Sequence, residues 1–171
     1  MKIGFNMLLW TPFVTEDHFP LFEKLKAVGY DGVEVPLFSG EPLHYAKVAR
    51  ALNGHGLSCT AVTVIPDRTH NPISADKGDR DRAAAYLKWA VDCAAELHAE
   101  VLCGPYYQPL GVFSGKGPTE EEKKRAAEVH WNMACVAQDA GVLLTIEALN
   151  RFECYFLNTL RDAADYVRRV Q

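Results

Sequence analysis

"VLLTIEALNRFE", residues 142–153, starts as an oily run of strand length and is stopped by a carboxylate, Glu147, with a second, Glu153, six residues later. An unpartnered carboxylate in an apolar interior costs on the order of several kcal/mol, or takes up a proton. Successive strand residues point to opposite faces, so Thr145 and Glu147 share one side while Leu144 and Ile146 share the other. Leu144 and Ile146 are expected to meet a layer of helices. Glu147 then needs either a bound cation or a base such as Arg151 or a nearby lysine. The fold to which this strand belongs decides between them.

Four more apolar runs of similar length precede it: "KIGFNMLL" from Lys2, "GVEVPL" from Gly32, "LSCTAVTVI" from Leu57 and "EVLCGPYY" from Glu100. Each of the five is followed by a helical pattern. The first helix is expected over Glu16–Val28, with Phe19, Phe22, Leu25 and Ala27 inward and Gly29 as its stop. The second covers Pro42–Asn53 and ends at Gly54 or Gly56. The third, Asp79–His98, carries Tyr86, Leu87, Ala90, Val91, Ala94 and Leu97 at spacings of three and four, an apolar stripe made to pack on a sheet. "PTEEE" opens the fourth, where Thr119 and Glu122 form a capping box and the acidic first turn suits the helix dipole; Gly141 ends it. Thr159 and Asp162 announce a fifth helix in the same way.

Strand then helix, five times, without a hairpin signal between, implies an α/β fold with a parallel sheet. The open doubly wound sheet and the closed TIM (β/α)8 barrel both accept the pattern, but the glycine signatures of nucleotide-binding open sheets are missing. "GVFSGKGPT", residues 111–119, lacks the phosphate-loop spacing and reads as a flexible loop. The reading is a TIM barrel of which residues 1–171 supply the first five βα units, the amino-terminal part of one domain. A full barrel takes about 250 residues. Either the sequence belongs to a longer chain, or another copy covers its open edges. In such a barrel Glu147 lies at the carboxyl end of a strand, where barrel enzymes keep their chemistry, and this favours the cation.

At 49% hydrophobic and 23% charged residues, the 171-residue chain has the makings of one globular core. Its 18 basic residues are outnumbered by 22 acidic ones and do not cluster, which argues against nucleic acid as a partner. "MKIGFNMLLW" is too short for a membrane span and carries no cleavage signal, so a cytoplasmic protein with no membrane partner is expected. Cys59, Cys93, Cys103, Cys135 and Cys154 are odd in number and embedded in apolar sequence, as buried reduced thiols would be. None of the six histidines has a helical i, i+4 partner, and none is expected to hold a metal. In the turn behind Glu147, Asn150 is expected to bond backbone, Arg151 to form an ion pair and Phe152 to pack. Glu34, flanked by Val33 and Val35, is expected on the same face as Glu147, in a supporting role.

"IEALNRFECYFLNT", residues 146–159, resembles the strand-five segment of the D-tagatose 3-epimerase and D-psicose (allulose) 3-epimerase family of xylose isomerase-like barrels. "KIGFNMLLW", "AVGYDGVEV" and "SADKGDRDRAAAYLKWAVDCAAELHA" add to the likeness, which covers all of this sequence and little more than half of a family member. The resemblance implies a metal-dependent ketose 3-epimerase that interconverts free sugars of the fructose/allulose or tagatose/sorbose type through an enediolate. It implies that Glu147 is both a metal ligand and an acid/base group, and that Glu153 holds substrate hydroxyls. Mn²⁺ is the expected cation, with Mg²⁺ or Co²⁺ as alternatives, because the implied set is two glutamates, an aspartate and a histidine. Three of those four fall on later strands. Asn6 stands where relatives place an aromatic residue beside the sugar, and Pro105 aligns with a residue lining the same pocket. Leu110 falls near a family tryptophan, so Tyr106, Tyr107, Trp10 or Phe38 is a candidate for the apolar wall. A homo-oligomer, dimer or tetramer, is expected. Another sugar or inosose isomerase or dehydratase of the same barrel is the alternative, and a non-catalytic partial barrel that binds or scaffolds is a second. A zinc-dependent DNA-repair endonuclease of the superfamily fits poorly, since basic patches and an early histidine cluster are missing.

Overall fold

The computed structural model of the protein describes residues 1–170. Five strands, β1 (Gly4–Asn6), β2 (Gly32–Pro36), β3 (Ser58–Val62), β4 (Val101–Cys103) and β5 (Leu143–Leu144), form one parallel sheet in sequence order. Five helices alternate with them: α1 (Phe19–Ala27), α2 (Pro42–Gly54), α3 (Lys77–Glu96), α4 (Glu120–Asp139) and α5 (Leu160–Val170).

The helix-facing side of the sheet is apolar. Val33, Val35, Cys59, Ala61 and Leu102 share a buried cluster with Phe22 and Leu25 of α1, Val48 and Leu52 of α2, and Ala90, Val91 and Ala94 of α3, and Leu144 packs against it. This is the alternation expected of strands whose outer residues meet helices, and it leaves Glu34 on the other side between two buried valines. All neighbours in the sheet are consecutive in sequence, so the wall is that of a barrel opened at β1 and β5.

Two glycines fix how closely the strands approach. A Cβ on Gly32 would lie 2.5 Å from the Ser58 carbonyl oxygen, and one on Gly104 would lie 2.0 Å from that of Thr63. Gly104 also has φ of +141°, which other residues rarely adopt. It ends β4 and turns the following chain away. The short β5 is longer in effect, since Thr145 N–H donates to Leu102 O at 3.0 Å and Glu147 N–H to Gly104 O at 3.2 Å. Extended chain thus runs along β4 as far as Glu147.

Both helix starts foreseen from capping boxes form. Thr119 Oγ accepts from Glu122 N–H at 3.2 Å while Glu122 takes the Thr119 N–H at 2.7 Å, and Thr159 and Asp162 repeat the arrangement. Other expectations need correction. The first apolar run yields only three strand residues, because the Asn6 side chain accepts Leu8 N–H at 2.8 Å and starts a 3-10 turn, Met7–Leu9. The first helix begins as a 3-10 turn at Glu16–His18 and becomes α-helical at Phe19, and Ala27 is exposed where it was expected inward. Cys135 is exposed on α4 and Cys103 is half-buried, so buried thiols are limited to Cys59, Cys93 and Cys154. His98 lies past the end of α3 at φ of 56°, in the left-handed conformation usually taken by glycine.

Candidate active site

The face of the sheet opposite the helices carries polar residues near the carboxyl ends of its strands. Register pairs Asn6 with Glu34 and Glu34 with Thr60, which puts the three side chains in a row. Glu34 links them: Asn6 Nδ2 donates to Oε1 at 2.9 Å and Thr60 Oγ to Oε2 at 3.2 Å. Cys103 lies on the same face of β4, paired with Val62 nearer the carboxyl ends of the strands. Burial pushes its thiol pKa up, a hydrogen bond with the Thr145 side chain opposes this, and the charges of Glu34 and Glu147 add to the rise. Glu147 is therefore on the inner face with Glu34, as the alternation requires.

Glu147 is not deeply buried; it is exposed at the open mouth of the sheet. Even so its pKa is raised, first by burial, then by the negative charges of Glu34 and Glu153. Among the described residues no base forms an ion pair with it, and Arg151, expected to pair, forms none. No group of three or more His, Cys, Asp or Glu among the described residues is arranged to hold a metal ion.

The turn behind β5 sets the position of Glu153. Asn150 Oδ1 accepts Phe152 N–H at 2.9 Å, its Nδ2 donates to Glu153 Oε2, and its carbonyl accepts Glu153 N–H at 3.2 Å. Gly111 N–H, from the loop after β4, donates to Glu153 O at 2.8 Å. Phe152 was expected to pack but is 84% exposed, since this turn points its side chain away from the protein.

Of the other predicted site residues, Asn6 is half-buried and tied to Glu34, and Pro105 is buried behind Gly104. Tyr106 and Tyr107 cannot form a sugar-facing wall. Both are buried on the helix side, their hydroxyls donating to Thr145 O at 2.8 Å and Leu157 O at 3.2 Å. Trp10 is half-exposed and stacks on Phe5 with ring centres 4.3 Å apart, Phe38 is half-buried, and Leu110 is 38% exposed. Thr60, Cys103 and Gln108 were not picked out as site residues from the sequence, whereas alternation put Thr145 beside Glu147. Period-two alternation could have found the first two; Gln108 gave no periodic signal and betrays itself only as an amide within an aromatic run, "YYQPL".

The helix side of β5 has a different character. An apolar hollow of about 220 Å³ lies there, lined by residues including Tyr106, His130, Trp131, Leu144 and Ile146. His130 is buried, with Nδ1 2.6 Å from the Tyr166 hydroxyl and Nε2 3.3 Å from Tyr106 O. A carbonyl only accepts, so Nε2 carries the proton and Nδ1 accepts from Tyr166.

The family model described as xylose isomerase-like TIM barrel matches residues 22–171. The chain belongs to that family. It is similar to a ketose 3-epimerase of Arthrobacter globiformis, 31% identical over 99% of this chain and 58% of that protein. A D-psicose 3-epimerase of Ruminiclostridium cellulolyticum is 28% identical over 99% of this chain and 59% of its own length. Among solved structures, that of D-psicose 3-epimerase with D-tagatose from Clostridium cellulolyticum H10 superposes with a TM-score of 0.86 at 26% identity, over 100% of this chain and 60% of that one. The chain thus spans somewhat under two thirds of these relatives, and its five-stranded sheet corresponds to part of their barrel. No helix among the described residues is long and apolar enough to cross a membrane.

Proposed function

We propose that the protein containing this chain is a ketose 3-epimerase acting on a free sugar, with residues 1–171 as part of a single barrel domain. The observation that carries this reading is Glu147: a carboxylate on the inner face, at the carboxyl end of β5, beside Glu34 and Glu153 and without a basic partner among the described residues. The relatives named above are 3-epimerases, and the sequence resemblance carries the metal-ligand and acid/base roles to the same residue.

Inversion at C3 of a ketose requires removal of the C3 hydrogen as a proton, with the electron pair passing toward the C2 carbonyl to give an enediolate. The Glu147 carboxylate takes that proton. A second carboxylate, outside this sequence, returns one to the opposite face. Glu153, oriented by Asn150, accepts hydrogen bonds from sugar hydroxyls near the reacting carbons. Asn6, held by Glu34, contributes a polar edge at the end of β1, and Pro105 shapes the wall behind Gly104. The oxygen donor of Glu147 suits the hard divalent cation that the resemblance implies, Mn²⁺ or else Mg²⁺ or Co²⁺. Glu147 would be its one ligand from this chain, and its chemistry would be to stabilise the charge developing on O2.

Incubation of the full protein with fructose, allulose or tagatose in deuterated water tests the proposal. Solvent deuterium should enter C3 as the C3 epimer forms. Turnover with exchange only at another carbon points to an isomerase or dehydratase of the same barrel, and no turnover of any ketose removes the reading.

A further inference from the structure

Gln108 is fully buried, and its carboxamide uses its whole hydrogen-bonding capacity. Oε1 accepts Tyr155 N–H at 3.1 Å and Phe156 N–H at 2.9 Å, while Nε2 donates to Pro109 O at 3.2 Å and Val112 O at 2.9 Å. The acceptor half faces the loop after β5 and the donor half faces the loop after β4. Flipping the amide would aim donors at two N–H groups, so its orientation is fixed. Only a side chain of this length with both functions can make the four bonds. A glutamate of the same length keeps the acceptor and loses the donors. An apolar residue leaves all four backbone groups without this partner, two of the bonds being buried and two part-buried.

The loop so clamped is the one that carries Glu153. Gly111, next to Val112, donates its N–H to Glu153 O at 2.8 Å, two residues before Tyr155. Tyr155 is anchored again by its hydroxyl, which donates to Glu122 Oε1 at 2.6 Å, on the residue whose carboxylate completes the capping box of α4. Backbone 153–156 is therefore tied to backbone 109–112, and the Glu153 carboxylate projects from the tied segment near enough for its charge to act on Glu147. We propose that Gln108 is a positioning residue of the site, locking the loop after β4 to the loop after β5 so that Glu153 meets the sugar. The substrate half of this inference rests on the epimerase reading; the locking half does not.

In the full protein, Gln108→Leu should raise KM for the ketose about tenfold or more with a smaller fall in kcat, as Glu153→Gln should. The double variant should be no worse than Glu153→Gln alone, because Gln108 acts through that residue. Losses that multiply in the double variant, or a fall in kcat with KM unchanged, would overturn the proposal. Gln108→Glu should lie between wild type and Gln108→Leu, and it serves all arms if the leucine variant does not fold. Amide hydrogen exchange at Gly111, whose bond goes to Glu153 and not to Gln108, should quicken at least tenfold in either variant. Unchanged exchange at Gly111 defeats the locking claim even in a protein that epimerises nothing, whereas wild type without epimerisation defeats only the reading of the substrate.

Discussion

The two faces of one sheet differ sharply. Toward the helices, Val33, Val35, Ala61 and Leu102 are almost wholly buried in a single apolar cluster, and the buried imidazole of His130 has both ring nitrogens bonded. Toward the interior, neighbouring positions on the same strands carry Glu34, Thr60, Cys103, Thr145 and Glu147, with the charges of Glu34 and Glu153 close enough to raise the proton affinity of Glu147. The outer residues are chosen for packing. The inner ones leave Glu147 facing the charges of Glu34 and Glu153, an arrangement that packing does not explain.

Exchanging residues on the two faces should separate stability from activity. Glu147→Gln should lower kcat/KM for ketose epimerisation by about 10²–10⁴-fold, the usual contribution of a general base, while the thermal midpoint holds or rises because a repelled charge is gone. A melting temperature that falls as far as activity would contradict the contrast. Leu102→Ala, on the outer face of β4, should do the reverse: about 2–5 kcal/mol lost in urea unfolding, with the surviving folded fraction still able to bind sugar.

Acid should act through the outer face. Burial holds the His130 pKa down at about 4, below the ordinary value near 6.5, so the unfolded chain takes the proton first. The stability contributed by the neutral ring is complete above about pH 6.5 and is lost as pH falls toward 4, by roughly 3 kcal/mol in all. Stability measured against pH should show this fall, and His130→Gln should flatten it. The smallest effect is expected at Glu153, where replacement by Gln should raise KM about tenfold, near 1.4 kcal/mol, with little change in melting temperature.

Much of this arrangement is legible in the chain. Period-two alternation around Glu34 and Glu147 puts both on the interior face, and the Thr119 and Thr159 caps mark two helix starts. Alternation is a local rule that tertiary packing seldom overturns in a sheet covered on one side. The turn chemistry was harder to read. Phe152 looked like a packing residue because hydrophobicity says nothing about where a turn aims its side chain. Tyr106 and Tyr107 looked like a pocket wall because nothing local reveals that Gly104, at φ of +141°, swings them under the helices. Arg151 suggested an ion pair through proximity in sequence, yet in the fold it forms none with a described residue.

The sequence by itself determined the parallel α/β order, the helix caps and the face on which each strand carboxylate lies, since each follows from dihedral periodicity and hydrogen-bonding within a few residues. Only the tertiary structure decided which groups meet: Glu34 with Asn6 and Thr60, Gln108 with backbone 155–156, and His130 with Tyr166. These contacts join residues between 26 and 48 positions apart, and strand register and loop paths, which no local pattern encodes, bring them within hydrogen-bonding distance.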